Sequence, residues 1–95
     1  MIKREGEWMM VQGSLNIATV PALFEEGLQH LASDDFQVDF SGADSVDSAA
    51  VSLLLGWNRA ARKLQHELRV KGLPEELLSL ARLYGVAEFL PQQSD

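Results

Sequence analysis

Cysteine is absent from this 95-residue sequence. Disulfides, thiolate zinc sites and cysteine nucleophiles are therefore excluded. Histidine is scarce: His30 and His66 are the only two, each among polar residues near a predicted helix end, and both read as surface side chains rather than bases. Long hydrophobic runs are missing as well. The longest nearly unbroken apolar stretch, Ala49 to Trp57, is far too short to span a bilayer. Lys3 and Arg4 put positive charge near the N-terminus with no apolar region behind it, so no targeting segment is read there. The expectation is a soluble, intracellular chain without membrane insertion. Basic charge is also limited, with 8 Lys and Arg against 14 Asp and Glu, a net charge of −6. Nucleic-acid binding draws on counterion release at a basic surface, and this balance argues against it. The basic residues Arg59, Arg62 and Lys63 fall close together, as suits the solvated C-terminal half of a helix.

The usual catalytic patterns are missing too. There is no HExxH, GxSxG or phosphate-loop motif, and Gly6 and Gly13 stand alone, so no nucleotide-cradling loop can be built from them. The carboxylate pairs Glu25-Glu26, Asp34-Asp35 and Glu75-Glu76 are adjacent in sequence. Neighbours on a helix point in different directions, so these are not convergent acid/base pairs. The expectation is a chain that is not an enzyme, with no catalytic residue, metal or cofactor.

What is present is the material of one small folded domain. Hydrophobic residues make up 46% of the chain and charged residues 23%, an ordinary globular balance. The length allows a single domain spanning 1–95, with an ordered core over about 1–91. Glu5-Gly6-Glu7 reads as a tight turn between Met1 to Arg4 and a strand running from Trp8 to Asn16, with Gly13 marking a bulge. Thr19-Val20-Pro21 opens a helix whose Val20, Leu23, Phe24, Leu28 and Leu31 share one face. Phe36 to Phe40 alternates apolar with polar, as a half-buried strand does. Ser41 to Ser45 reads as a polar turn, and Ala49 to Leu64 as the longest helix, with Trp57 in the core. Leu68 to Lys71 is a short strand ended by Gly72. Pro74-Glu75-Glu76 starts a last helix with a buried stripe of Leu77, Leu80, Ala81 and Tyr84, closed by Gly85. Val86 to Pro91 is apolar enough to dock, with a further short strand allowed there, and Gln92 to Asp95 should fray. The fold class is α/β: a mixed β-sheet packed with amphipathic helices, its later strands joined by helical crossovers.

One segment is less generic. Ser41 to Ser48 is a small, polar loop that places Asp47 and Ser48 at the start of the long helix. Two readings stay open there. Asp47 or Ser48 is simply an N-cap, or the amide-rich helix start serves an anion, including a phosphate carried on Ser48 itself.

The run Val38-Asp39-Phe40-Ser41-Gly42-Ala43-Asp44-Ser45-Val46-Asp47-Ser48-Ala49-Ala50-Val51 resembles the signature of the STAS family, in which a strand ending in Asp-Leu-Ser leads to Asp-Ser or Asp-Thr at a helix start. Gly13-Ser14-Leu15 resembles the family's early Gly-Glu-Leu, and Leu68-Arg69-Val70-Lys71-Gly72-Leu73 its fourth strand. Within the family the likeness is greatest to the MlaB branch. It is carried by Val51-Ser52-Leu53-Leu54-Leu55, by Leu80-Ala81-Arg82-Leu83-Tyr84-Gly85-Val86, similar to that branch's Leu-Ala-Lys-Leu-Tyr-Asn-Leu, and by Phe89-Leu90-Pro91.

The resemblance implies a non-catalytic cytoplasmic subunit, peripheral on the inner membrane through its partner. That partner would be the MlaF-like ATPase of an ABC transporter with a membrane permease and a lipid-binding subunit, moving phospholipid to maintain outer-membrane asymmetry. It implies a partner-binding role for Ser48 beside Asp47, with Ser45, Ala49 and Ser52 included by proximity. Two departures stand out. Alanine fills position 50, where the family often has glycine, and position 49, where it sometimes does, which would crowd a partner backbone. Ser48 replaces the threonine expected of the MlaB branch. Serine there is shared with the anti-sigma factor antagonists, whose serine is phosphorylated, so a phosphorylation switch at Ser48 is the alternative.

Overall fold

The computed structural model describes residues 2–86; the readings placed on residues 87–95 lie outside the described residues. The chain runs β1 (Ile2–Glu5), β2 (Trp8–Val11), β3 (Gly13–Leu15), α1 (Val20–Ser33), β4 (Phe36–Asp39), β5 (Ala43–Val46), α2 (Ser48–Leu64), β6 (Leu68–Lys71) and α3 (Glu75–Leu83). A four-stranded sheet has the order β1-β2-β4-β6, and β3 and β5 form a separate two-stranded sheet. β1 and β2 are antiparallel, with Ile2 opposite Val11 and Glu5 opposite Trp8, which leaves Gly6 and Glu7 as the hairpin turn. The β2–β4 and β4–β6 pairs are parallel and are connected through α1 and α2. The mixed sheet and its helical crossovers are as read from the sequence.

Two parts of the strand pattern differ from that reading. The hairpin does not extend to Asn16, because the chain leaves the first sheet at Gln12. Gly13 takes φ +92°, and the register shifts between Gly13 and Ser14 as β3 turns to pair with β5. The bulge is therefore a change of sheet. The segment read as a polar turn is only partly a turn, since Ala43 to Val46 form β5. Its Asp44 and Ser45 are exposed and give no apolar alternation. The strand forms because β3 offers it a free edge, which supplies the ladder hydrogen bonds that side-chain burial does not.

The core lies between one face of the four-stranded sheet and the helices. Phe36 and Val38 of β4 and Leu68 and Val70 of β6 point into it, while Gln37, Asp39, Arg69 and Lys71 alternate outward. On the open face the Lys71 ammonium lies over the Trp8 ring, 4.3 Å from its centroid. From α2 come Ala50, Leu53, Leu54, Trp57 and Ala61, and from α1 Leu23 and Leu31. Trp57 is fully buried, meets Phe36 edge-on at 5.3 Å, and donates its indole N–H to the Phe24 carbonyl at 3.1 Å. It belongs to the core, as expected, and takes no part in a surface.

α1 and α2 interlock through glycines that the sequence reading passed over. Gly27 of α1 lies under the Trp57 ring, and Gly56 of α2 lies against the Phe24 ring. Each helix thus offers the other a position without a side chain, and a bulky aromatic fills it. A Cβ at Gly56 would stand 2.6 Å from Phe24 Cε1, and one at Gly27 would overlap the indole of Trp57.

The two histidines are half-buried rather than on the open surface. The His30 ring stacks on Phe36 at 5.4 Å, and His66 Nδ1 contacts the Leu31 carbonyl. Tyr84 is the other correction. The expected stripe holds at Leu77 and Ala81, both fully buried, but Tyr84 is 56% exposed. The helix stops at Leu83, and Tyr84 is its C-cap with φ −87° and ψ 1°, which swings the ring off the buried stripe. Gly85 follows at φ +70°, and the Val86 N–H bonds the Ala81 carbonyl at 2.9 Å, as a Schellman ending requires.

Gly27→Ala tests the interlock. On an exposed helix this change gains up to about 1 kcal/mol in helix propensity. Here the added methyl overpacks the Trp57 contact, and a net loss of about 1–3 kcal/mol is expected from the urea-unfolding midpoint. A stabilised variant would show that α1 and α2 are not held this closely.

Candidate functional site

The start of α2 is fixed from three directions. Asp47 is its N-cap: the carboxylate Oδ1 accepts the Ala49 N–H at 2.8 Å, and its carbonyl accepts the Ala50 N–H at 3.0 Å. The Asp47 N–H in turn donates to the Leu15 carbonyl at 3.0 Å, which ties the helix start to β3. Beside that bond the Ser45 and Ser14 hydroxyls lie 3.2 Å apart across the β3–β5 pair. On the opposite side Gly42 lies close enough to β2 that a Cβ would be 3.0 Å from the Val11 carbonyl oxygen.

The approach to α1 is equally built. Asn16 Oδ1 accepts the N–H groups of Ala18 and Thr19 at 2.8 and 3.1 Å, and the Thr19 hydroxyl donates to the Ser14 carbonyl at 2.7 Å. This Asx-type turn holds Ile17 out from the surface, where it is 83% exposed.

Between these elements lies an open groove of about 790 Å³. Asp47 at the cap of α2 and its Ser48, Ala49 and Ser52 form one side, and Ile17, Val20 and Pro21 line the other. Val51, Leu55, Tyr84 and Val86 complete an apolar lining. Ser48 and Ser52, four residues apart and so on one helical face, are both exposed.

Of the residues singled out from the sequence, Asp47, Ser48, Ala49 and Ser52 come together in this groove. Ser45 does not line it: it is exposed and hydrogen-bonded toward Ser14. The two alanines separate. Ala50 is fully buried in the core, so only Ala49 faces outward, and the expected crowding of a partner falls on one methyl group rather than two. Asp47 fulfils the capping reading. The sequence reading did not single out Ile17, and it missed the exposure of Tyr84. The signal that could have found Ile17 was the Asn16-x-x-Thr19 turn pattern, which puts the residue after the Asn at a loop tip.

Among the described residues no group of three or more His, Asp or Glu converges in a way that could hold a metal ion. The polar groups that face the groove are one carboxylate, already engaged as a cap, and serine hydroxyls with no histidine beside them. Such a surface can accept and donate hydrogen bonds and bury apolar groups. Among the described residues no helix is long and apolar enough to cross a membrane.

Comparison with known families decides the broader identity. The family model described as Mlab, STAS domain, matches residues 2–91. The chain belongs to the MlaB-type STAS domain family. Comparison with curated proteins finds no match. Among solved structures this STAS domain is similar to the anti-sigma factor antagonist SpoIIAA in its unphosphorylated form, with a TM-score of 0.72 and 12% identity, covering 100% of this chain and 87% of that one. It is similar also to a putative anti-sigma factor antagonist from Thermotoga maritima, with a TM-score of 0.76 and 11% identity, covering 100% of this chain and 86% of that one. At such identities the likeness is one of fold. It agrees with the α/β class read from the sequence.

Asp47→Ala tests the cap. Loss of the carboxylate should lower stability by about 1 kcal/mol, which is a fall in Tm of about 4–8 °C for a domain of this size. Asp47→Ser and Asp47→Asn should keep most of it. Equal melting of all three variants would leave the helix start held by the backbone alone.

Proposed function

We propose that this STAS domain is a non-catalytic accessory subunit that docks onto the ATPase of a phospholipid-transporting ABC complex, with the start of α2 at the centre of the docking surface. The reading follows from the MlaB-type family match. The single observation that supports the site is the exposed Ser48 hydroxyl at an Asp47-capped helix start, bordered by an apolar groove that carries Ile17 and Tyr84. Exposed apolar side chains gathered around a polar anchor are the material of a protein interface: the apolar groups contribute burial, and the hydroxyl and carboxylate fix register.

In this role the domain binds no nucleotide itself. It supports the assembly and activity of the ATPase on the cytoplasmic side, in a complex that includes a membrane permease and a lipid-binding subunit and maintains outer-membrane lipid asymmetry. Ser48 and Asp47 lie at the contact, Ala49 and Ser52 beside it, and Ser45 at its edge.

A second reading is favoured by one feature of the same site. Ser48 is an exposed serine at a helix start in a fold shared with two anti-sigma factor antagonists. A phosphate on Ser48 would add up to about −2 in charge, and it would meet the Asp47 carboxylate, already bonded to the Ala49 N–H, as a like charge. Phosphorylation there would disrupt a docking surface rather than build one, which is the behaviour of a release switch.

Affinity purification of the tagged chain from its native cells in mild detergent separates the two. Recovery of an ABC ATPase with its permease supports the transporter reading, and recovery of a kinase-like anti-sigma factor overturns it in favour of the switch. Against the recovered partner, Ser48→Glu and Ser48→Arg should each weaken binding by at least roughly 30-fold, because an unpaired charge buried in an interface costs a few kcal/mol. Unchanged circular dichroism and Tm would show the fold intact. Unchanged binding by both variants would remove Ser48 from the interface.

A further inference from the structure

α2 is amphipathic in an unusual sense: its outward face is itself ordered. The inward face is made of Ala50, Leu53, Leu54, Trp57 and Ala61. Opposite it, Ser48, Ser52, Leu55, Arg59 and Arg62 recur at the three-and-four spacing of one helical stripe. Along that stripe the chemistry changes from hydroxyl to apolar to cationic. Leu55 and Val86 line the groove at the start of α2, and the same two residues line a second depression of about 310 Å³ with Asn58, Arg59 and Arg62. The two depressions thus join into one trough along the length of α2.

Among the described residues no ion pair balances the cationic end. The chain carries 14 acidic residues against 8 basic ones, yet α2 contains no Asp or Glu. Among the described residues the ion pairs are Arg69–Glu67 and Arg82–Glu75, and neither Arg59 nor Arg62 takes part in one. Two exposed arginines beside the half-buried Leu55, on a strongly acidic protein, make a local site of opposite sign to the whole. Arginine suits bidentate capture of carboxylates at an interface.

We infer that the trough along α2 receives an amphipathic helix of the partner ATPase that lies alongside α2, with apolar side chains over Leu55, Tyr84 and Val86 and with Asp or Glu at the end that meets Arg59 and Arg62. Charge complementarity selects this occupant. A second copy of this chain, with net charge −6, is repelled on the whole and presents the same cationic stripe to itself. The gradient along the stripe also sets the direction of the bound helix, since only one orientation brings acidic groups to the arginines while leaving uncharged ones at Ser48. This inference rests on the ATPase-docking reading and adds the chemistry and polarity of the segment that docks.

The test uses the full-length chain and the purified ABC ATPase recovered with it. Photo-crosslinkers placed at Leu55 and at Asn58 should both label one helical segment of the ATPase, and that segment should carry Asp or Glu within one turn of the Asn58 adduct. Arg59→Glu/Arg62→Glu should lower affinity roughly 10- to 100-fold, Arg59→Gln/Arg62→Gln less so, and exchange of the crosslinked acidic residues for Lys should restore binding to the Glu variant. Binding by the wild type should weaken with added salt more steeply than binding by the Gln variant.

Failure of the wild-type chain to bind any ABC ATPase overturns the docking reading and this inference with it. Loss of binding in Ser48→Arg with full affinity in Arg59→Glu/Arg62→Glu leaves the docking reading standing and overturns the inference. So does full ATPase affinity of the Glu variant together with loss of its binding to vesicles of phosphatidylglycerol and phosphatidylcholine, which would assign the arginines to a lipid surface.

Discussion

The position of α2 depends on one contact, the burial of Trp57 between α1 and the sheet. The indole is fully buried, touches Phe36, donates to the Phe24 carbonyl, and rests on Gly27. A buried tryptophan represents about 3–5 kcal/mol on truncation, against a net stability of about 5–15 kcal/mol for a whole domain. Because the ring spans both the neighbouring helix and the central strand, it fixes α2 in rotation as well as in position. Rotation decides which side chains face outward. A turn of the helix by a third would bury Ser48 and Ser52 and expose the Leu53 side of the helix, so the proposed docking face exists only through the packing beneath it.

The second constraint acts at the end of the helix. The β3–β5 pair adds little core of its own: Leu15 is buried, while Asp44 and Ser45 are exposed. Its contribution is geometric. The Asp47 N–H bonded to the Leu15 carbonyl ties the first residue before α2 to a strand that continues from the main sheet. With Trp57 held near the middle of α2 and Asp47 held at its start, the groove between them has a rigid wall. A docking surface built on rigid elements loses little entropy on binding.

The sequence made most of this architecture legible and left out what depends on distant partners. The Phe36-to-Phe40 alternation, the Asp47 cap and the Leu77 and Ala81 stripe are local patterns, and local patterns can be read without the fold. β5 was hidden because its ladder is supplied by β3, some thirty residues earlier, and its own residues lack strand character. The glycines of the interlock were invisible for a related reason. Gly27 and Gly56 look like flaws in two otherwise good helices, and only the aromatic ring opposite each one explains them. Tyr84 was assigned inward by continuing a helical count one residue past the point where the helix ends. Asp47, Ser48, Ala49 and Ser52 come together on one groove because they are neighbours around one helix start. Ile17 and the Tyr84 ring reach that groove from other elements, and no periodicity in α2 could have announced them.

A small domain has little stability to spare, and exposing Ile17 and Tyr84 leaves about as much apolar surface in water as a modest core contact would bury. With no buried polar or charged residue among the described residues, and a core closed by tight glycine contacts, that exposure is not loose packing. The Ile17 loop is held out by the Asn16 and Thr19 hydrogen bonds, and Tyr84 is turned out by a Schellman ending. Each is a specific backbone device that places an apolar group at the surface. Both devices deliver their side chains to the same groove, from opposite ends of the sequence. A partner that covers the groove recovers the apolar burial that the isolated domain gives up, while the hydroxyls and the capped carboxylate at its edge penalise any partner that leaves them unpaired. Affinity would then come from the two outturned side chains, and specificity from the start of α2.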